Sequence, residues 1–140
     1  MNKYFFGVDV GTQGARIVLV DQQGKLIASD ARKFDLDERF REEQSPDLWW
    51  QDCREMMADL ISSLPAHINK FDILALSVTS TSGTVIPLDK DLKPLHDAIM
   101  YSDPRSVEQG KRCKEIASKY VKDGYTGFNA SSGISKMLWF

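Results

Sequence analysis

The segment from Tyr4 to Asp21 limits what this chain can become more than any other. An apolar run, Tyr4 to Val10, carries a single carboxylate, Asp9, one residue from its end. Gly11-Thr12-Gln13-Gly14 interrupts it, and a second apolar run, Ala15 to Val20, returns with Arg16 near its start. Two apolar runs joined by a glycine-bracketed break predict a β-hairpin. Lys25 to Ala31 reads as a third strand after Asp21-Gln22-Gln23-Gly24, where Gly24 can supply the positive φ of a turn. The expected product is an antiparallel meander. A phosphate close to backbone needs N–H donors and no Cβ in its path. Gly11 and Gly14 leave that room, and the Thr12 hydroxyl adds a donor. Asp9 suits Mg²⁺, directly or through water, because that ion takes oxygen ligands and keeps several waters. Arg16 can grip phosphate oxygens with a two-pronged guanidinium. The same residues would also make an ordinary hairpin with a surface Asp–Arg pair, so the rest of the chain has to decide.

Charge and composition remove several classes. A net charge of −2 over 140 residues gives no general attraction for nucleic acid or anionic lipid. No apolar stretch reaches the length of a membrane span. Met1-Asn2-Lys3-Tyr4 enters a strand without a signal-peptide pattern. The expectation is a soluble cytoplasmic protein with neither nucleic acid nor membrane as partner. Cys53 and Cys113 stand alone and read as buried free thiols, not as a disulfide or metal site. His67 and His96 are too few and too scattered for zinc.

Phe34 to Gln44 is polar and charged, and reads as a surface loop or edge extension. Ser45 can cap a helix that Pro46 opens and Asp47 favours electrostatically. Trp49, Cys53, Met56, Met57, Leu60, Ile61 and Leu64 recur at helical spacing, and Pro65 ends the run. Ile73 to Val78 reads as a buried strand. Thr84 to Leu88 reads as a second strand after the Thr81-Ser82-Gly83 bend, and Ile99-Met100-Tyr101 as a short third. Asp103 is expected to cap, and Pro104 to open, a helix with Val107, Ile116, Ala117, Tyr120 and Val121 on its apolar side. Gly124, Gly127 and Gly133 mark a loop, and Ser135 to Phe140 opens another helix. Ending on Met-Leu-Trp-Phe reads as a helix cut in mid-course, hence as a fragment. For a fragment, with a last strand missing and the final apolar helix partly uncovered, poor solubility or self-association as a homo-oligomer is expected.

The arrangement Asp9-x-Gly11-Thr12-x-x-x-Arg16 resembles the first phosphate-binding motif of the sugar-kinase/hsp70/actin superfamily. More closely, the chain resembles the N-terminal part of the FGGY carbohydrate kinases. Glu43-Gln44-Ser45-Pro46-Asp47-Leu48-Trp49-Trp50 is similar to that family's E-x-x-P-x-x-W-W helix start. Leu74 to Val78 followed by Thr84 to Asp89 resembles its buried strand pair. Pro94-Leu95 through Arg105 resembles its P-L-x-x-A-I-x-W-x-D-x-R segment, and Lys136-Met137-Leu138-Trp139 its K-L-x-W helix. The resemblance implies an α/β, ribonuclease-H-like fold, with residues 1–140 forming the N-terminal part of the first kinase domain. It implies ATP and Mg²⁺ as cofactors, with Asp9, Gly11, Thr12, Gln13 and Arg16 at the nucleotide and Asp9 at the metal. It implies a small sugar or polyol substrate, a pentulose above all, near Thr81, Ser82, Gly83, Asp103 and Arg105. The general base and the second domain would lie beyond Phe140, leaving no catalytic residue in this chain.

Departures from the family pattern bear on substrate. Glycerol kinases carry Gln-Arg-Glu at the bend and xylulose kinases Gln-Met-His; here Thr81, Ser82 and Gly83 stand there. That argues against glycerol and against typical xylulose recognition, and is closer to ribulokinase-like members. Ser80, Thr81, Ser82 and Thr84 can donate and accept hydrogen bonds, which suits a polyol, or can satisfy their own backbone. Tyr101 replaces the usual Trp. Asp103 equally reads as a helix cap and Arg105 as half of a surface ion pair, while Trp49 and Trp50 read as packing. A ribonuclease-H-like nuclease shares the hairpin style but needs further carboxylates at strand ends. Here Ile73 to Val78 runs into Thr79-Ser80, and no basic stripe for DNA is evident. A non-catalytic actin-like module that binds nucleotide or a partner is left open.

Overall fold

The computed structural model describes residues 2–121 and 127–140. The expected loop glycine Gly124 lies outside them. The elements in chain order are β1 (Tyr4–Val10), β2 (Gly14–Asp21), β3 (Leu26–Lys33), β4 (Glu43–Gln44), α1 (Pro46–Ser62), β5 (Ile73–Ser80), β6 (Ala98–Ile99), α2 (Val107–Ala117) and α3 (Gly133–Trp139), with a 3₁₀ turn at Lys70–Asp72. They fall into two compact units: Met1–Asp35 with Asp47–Thr81, and Leu36–Pro46 with Ser82–Phe140.

The first unit is the expected meander extended by one parallel strand, in the order β3-β2-β1-β5. Side chains on a strand alternate between faces. Tyr4, Phe6 and Val8 of β1 and Ala15, Ile17 and Leu19 of β2 are accordingly buried, while Asp9 and Arg16 lie on the other alternation. Each such large side chain, fully buried, stabilises by about 1.5–3 kcal/mol. Helix α1 starts at Pro46, where the missing N–H costs nothing, and buries Cys53, Met56 and Leu60, an i, i+3, i+7 stripe. Burial pushes the Cys53 thiol up, which keeps it unreactive. Arg32 of β3 ties this helix down, reaching Asp52 (3.1 Å), Glu55 (2.6 Å) and Asp59 (3.5 Å). Phe34 stacks on Trp49 at 6.3 Å, so Trp49 packs as expected, whereas Trp50 is exposed.

One expectation fails in this unit. The run 73–78 reads as a buried strand because continuous apolar sequence signals two covered faces. In β5, however, Leu74, Leu76 and Val78 are 48–58% exposed. The strand is at the sheet edge and pairs with β1 alone among the described strands.

In the second unit β4 pairs antiparallel with β6, setting Glu43 opposite Ile99 and Gln44 opposite Ala98. The surface-loop expectation for Phe34 to Gln44 therefore fails at both ends: Phe34 and Gln44 are buried, and the Glu43 side chain is 9% exposed. Thr84 to Leu88 forms no strand. It makes only the bridges Val85–Ile99 and Leu88–Pro94, and Pro87 inside it has no N–H to donate. Asp103 does not cap α2. Its Oδ1 accepts the N–H of Arg105 at 2.8 Å in a local turn, which delays the helix until Val107. The predicted apolar side of α2 is also not core: Val107 and Ile116 are exposed, and Tyr120 and Val121 lie beyond the helix end. Cys113 is half-buried and free.

Candidate functional site

In the first unit the β1–β2 register sets Asp9 directly opposite Arg16. The Arg16 Nη1 donates to Asp9 Oδ2 at 3.2 Å, with the two side chains 70% and 46% exposed. A pair this open to water is worth at most about 1 kcal/mol. Either partner can therefore turn to a ligand at little cost.

The bend between them departs from the expected phosphate cradle in two respects. The Gly11 N–H is already committed, donating to the Gly14 carbonyl at 2.9 Å. Gly14 is required by packing: a Cβ there would lie 2.3 Å from the Arg32 carbonyl oxygen on β3. Neither glycine has a positive φ. Gln13 holds β3 through its carbonyl, which accepts the Phe34 N–H at 3.1 Å. Thr12 occupies the bend between Gly11 and Gln13. Among the described residues no three of His, Cys, Asp and Glu cluster as a metal cage. A lone, half-exposed carboxylate fits an Mg²⁺ that keeps most of its waters and is shared with phosphates, and the neighbouring guanidinium fits phosphate oxygens.

The second unit holds a polar pocket of about 370 Å³. One wall is the turn Ser82-Gly83-Thr84; the other is the loop carrying Gly127, Asn129, Ser131, Ser132 and Gly133. Thr81, the first residue of the predicted sugar bend, closes the first unit and does not line this pocket. The two walls touch. Gly83 has φ +79°, and a Cβ on it would stand 2.1 Å from the Ser131 carbonyl oxygen. Gly110 of α2 is pressed the same way, its absent Cβ falling 2.7 Å from the Asn129 backbone. The Ala130 carbonyl accepts from Ser106 Oγ at 3.1 Å and from Lys136 Nζ at 2.7 Å. Lys136 also donates to the Asp103 carbonyl at 3.1 Å and is 1% exposed.

Asp103 and Arg105, both expected at the sugar, are brought together and bond each other. Asp103 is 1% exposed, and its Oδ2 accepts Arg105 Nε at 2.7 Å. Arg105 Nη2 also reaches Glu43 Oε1 at 2.7 Å, and the guanidinium lies 4.8 Å from the Trp139 ring centre. Burial works to raise the Asp103 carboxyl. The Arg105 side-chain and backbone hydrogen bonds, with the charges of Arg105 and Lys136, outweigh it and hold the group below the ordinary carboxylate range. The Lys136 ammonium is lowered, first by burial and then by the Arg105 charge, against the pull of Asp103.

Sequence reasoning missed Glu43 and Lys136 because a charge is read by default as solvated. It missed Asn129, Ser131 and Ser132 because such residues read as ordinary turn formers. The K-L-x-W-like helix around Lys136 was the available signal.

The model of the FGGY family of carbohydrate kinases, N-terminal domain, matches residues 4–140. The chain is 29% identical over 98% of its length to the xylulose kinase of Bacillus subtilis, and 30% identical over 98% to the glycerol kinase of Fusobacterium nucleatum. Among solved structures it is similar to the gluconate kinase of Lactobacillus acidophilus, with a TM-score of 0.77 at 27% identity over 99% of the chain. It is also similar to the ligand-bound xylulose kinase of the same organism, with a TM-score of 0.75 at 26% identity over 98%. In each case it spans 28% of the relative's own length. The α/β fold is thus that of the sugar kinases, and the chain belongs to the FGGY family of carbohydrate kinases as part of its N-terminal domain.

Proposed function

We propose that the protein carrying this chain transfers the γ-phosphoryl group of ATP to a hydroxyl of a neutral ketose or polyol, a ketopentose in the first instance. The observation that carries the reading is Asp9, half exposed and paired to Arg16 beside the bend, in a chain matched to a carbohydrate-kinase family over residues 4–140. The hairpin is assigned the nucleotide end. Arg16 would turn from Asp9 to phosphate oxygens, and the freed Asp9 carboxylate would hold Mg²⁺, directly or through water. Gly11, Thr12 and Gln13 form the bend over which the phosphates lie. Mg²⁺, when bound with the nucleotide, supplies neutralisation of charge on the transferred group.

The pocket of the second unit is assigned the sugar. Ser82, Thr84, Asn129, Ser131 and Ser132 offer hydroxyl and amide groups, and the described lining carries no charge. That composition favours a neutral polyhydroxy compound over a sugar acid. Thr81, Ser82 and Gly83 remain the proposed bend at the substrate, and Asp103 and Arg105 hold the turn to which Lys136 fastens the pocket wall. The base that takes the hydroxyl proton is assigned to a part of the protein outside residues 1–140, which makes these residues part of a larger kinase domain. Proposed partners are the small substrate and further copies of the chain.

A coupled ADP-release assay tests the reading. The intact protein is given D-ribulose, D-xylulose, glycerol and gluconate in turn. Turnover with a ketopentose is expected. Turnover with gluconate alone overturns the neutral-substrate assignment, and turnover with none of the four overturns the kinase reading. Residues 1–140 alone should give no ADP release; activity there would refute a base supplied from elsewhere.

A further inference from the structure

We infer that Lys136 is a positioning residue for the sugar pocket, its ammonium fastening the Asn129–Ser132 wall to the turn that carries Asp103. The inference rests on the assignment of that pocket to the sugar. Lys136 is among the most completely buried side chains of the chain, yet it makes no ion pair among the described residues. Its Nζ instead bridges two backbone carbonyls 27 residues apart in sequence, those of Asp103 and Ala130. Burying a cation whose direct partners are carbonyls is costly even with the Asp103 charge nearby, and an apolar side chain of similar length would pack there without that cost. What the ammonium adds is direction: it holds the carbonyl at the centre of the Asn129–Ser132 wall.

That wall has little freedom left. Gly110 presses on the Asn129 backbone, Gly83 on the Ser131 carbonyl, and Ser106 Oγ adds a second donor to Ala130. Within the wall, Asn129 Oδ1 accepts the Ser131 N–H at 2.8 Å and Ser132 Oγ accepts the Asn129 N–H at 3.1 Å. The polar groups facing the pocket therefore keep one arrangement only while Ala130 is held. Recognition of a polyol depends on such fixed donor and acceptor positions, where misplacement by about 1 Å is costly.

The experiment compares wild type with Lys136→Met and Lys136→Arg in the intact protein. The KM for the ketopentose and the KM for ATP are measured at saturating partner substrate. In Lys136→Met the sugar KM should rise about tenfold, the loss of a charge-assisted hydrogen bond in the wall, with the ATP KM within about twofold of wild type. Lys136→Arg, which keeps a cationic donor, should recover part of the loss. A purely structural role lowers the folded fraction, and hence the apparent kcat, without moving KM. An unchanged sugar KM in Lys136→Met overturns the inference. Should that variant fail to fold, Ser106→Ala decides, since it strips the other donor from Ala130. A sugar KM raised about threefold supports the inference and an unchanged one overturns it. Inactivity of the wild type would instead count against the kinase assignment itself, so the two failures are distinguishable.

Discussion

Gly83→Ala offers the sharpest check on the second unit, because Gly24 provides a matched control. Both glycines sit at φ +79°. Nothing lies within 4 Å of a Cβ built on Gly24. An alanine there meets only the backbone penalty of the left-handed region, about 1–2 kcal/mol, partly offset by about 0.4–1 kcal/mol from a stiffer unfolded chain. The net cost at Gly24 is about 0.5–1 kcal/mol. At Gly83 the same penalty is joined by a collision with the Ser131 carbonyl oxygen at 2.1 Å and its carbon at 3.3 Å. Ordinary contact begins near 3.4 Å, so a backbone carbonyl has to retreat by more than 1 Å. Overpacking of that kind adds about 1–3 kcal/mol, bringing Gly83→Ala to about 2–4 kcal/mol. Urea denaturation of both variants reads the difference. A gap of about 2 kcal/mol corresponds to a midpoint lower by roughly 1 M in Gly83→Ala. Equal midpoints would refute the close approach of turn and loop, and with it the geometry of the pocket.

Three further outcomes are expected. Asp9→Asn should lower kcat/KM for MgATP by about 10²–10³-fold while changing stability by less than about 0.5 kcal/mol, the first read by steady-state kinetics and the second by urea denaturation. Gly14→Ala should destabilise the hairpin unit by about 2–3 kcal/mol through collision with the Arg32 carbonyl, seen as a lower melting temperature. Asp103, whose carboxyl is held low in the folded protein, contributes stability that is present above the unfolded value near 4 and lost as pH falls through the lower folded value. Asp103→Asn should therefore cost about 3 kcal/mol at pH 7 and flatten the loss of stability below about pH 4, followed by denaturation midpoints at a series of pH values.

The hairpin was legible because its signals are local. Alternation across Tyr4 to Val20 fixes which face is buried, and a break of four residues fixes Asp9 opposite Arg16. Helix α1 was legible for the same reason, from Pro46 and a 3.6-residue stripe. What could not be read depends on distant partners. Glu43 looks solvated until Arg105, 62 positions later, reaches it. Lys136 looks like a polar helix residue until Ala130 and Asp103 surround it. Even the glycines mislead locally: Gly14 reads as part of a phosphate turn, while the demand on it comes from Arg32 on the next strand. The strand expected at 84–88 failed because Pro87 removes a donor in its middle, a local signal that apolar periodicity outweighed in the reading.

Asp9 and Asp103 show why the environment, not the residue type, assigns a role to a carboxylate. Both sit in motifs like those of the same family, and both meet an arginine at hydrogen-bond distance. Asp9 is half exposed and holds Arg16 by one long bond in water, where exchange for a phosphate or a metal-bound water is nearly neutral in free energy. Asp103 is sealed from solvent and takes three donors from Arg105. Drawing it toward a sugar hydroxyl would break the bonds by which a sealed carboxylate is satisfied, and one sugar hydrogen bond replaces only part of them. Asp9 is thus free to act on a ligand, and Asp103 is committed to holding the turn that Lys136 ties to the pocket wall. A variant series that separates the two should find Asp9→Asn defective in nucleotide use with its fold intact, and Asp103→Asn defective in stability first.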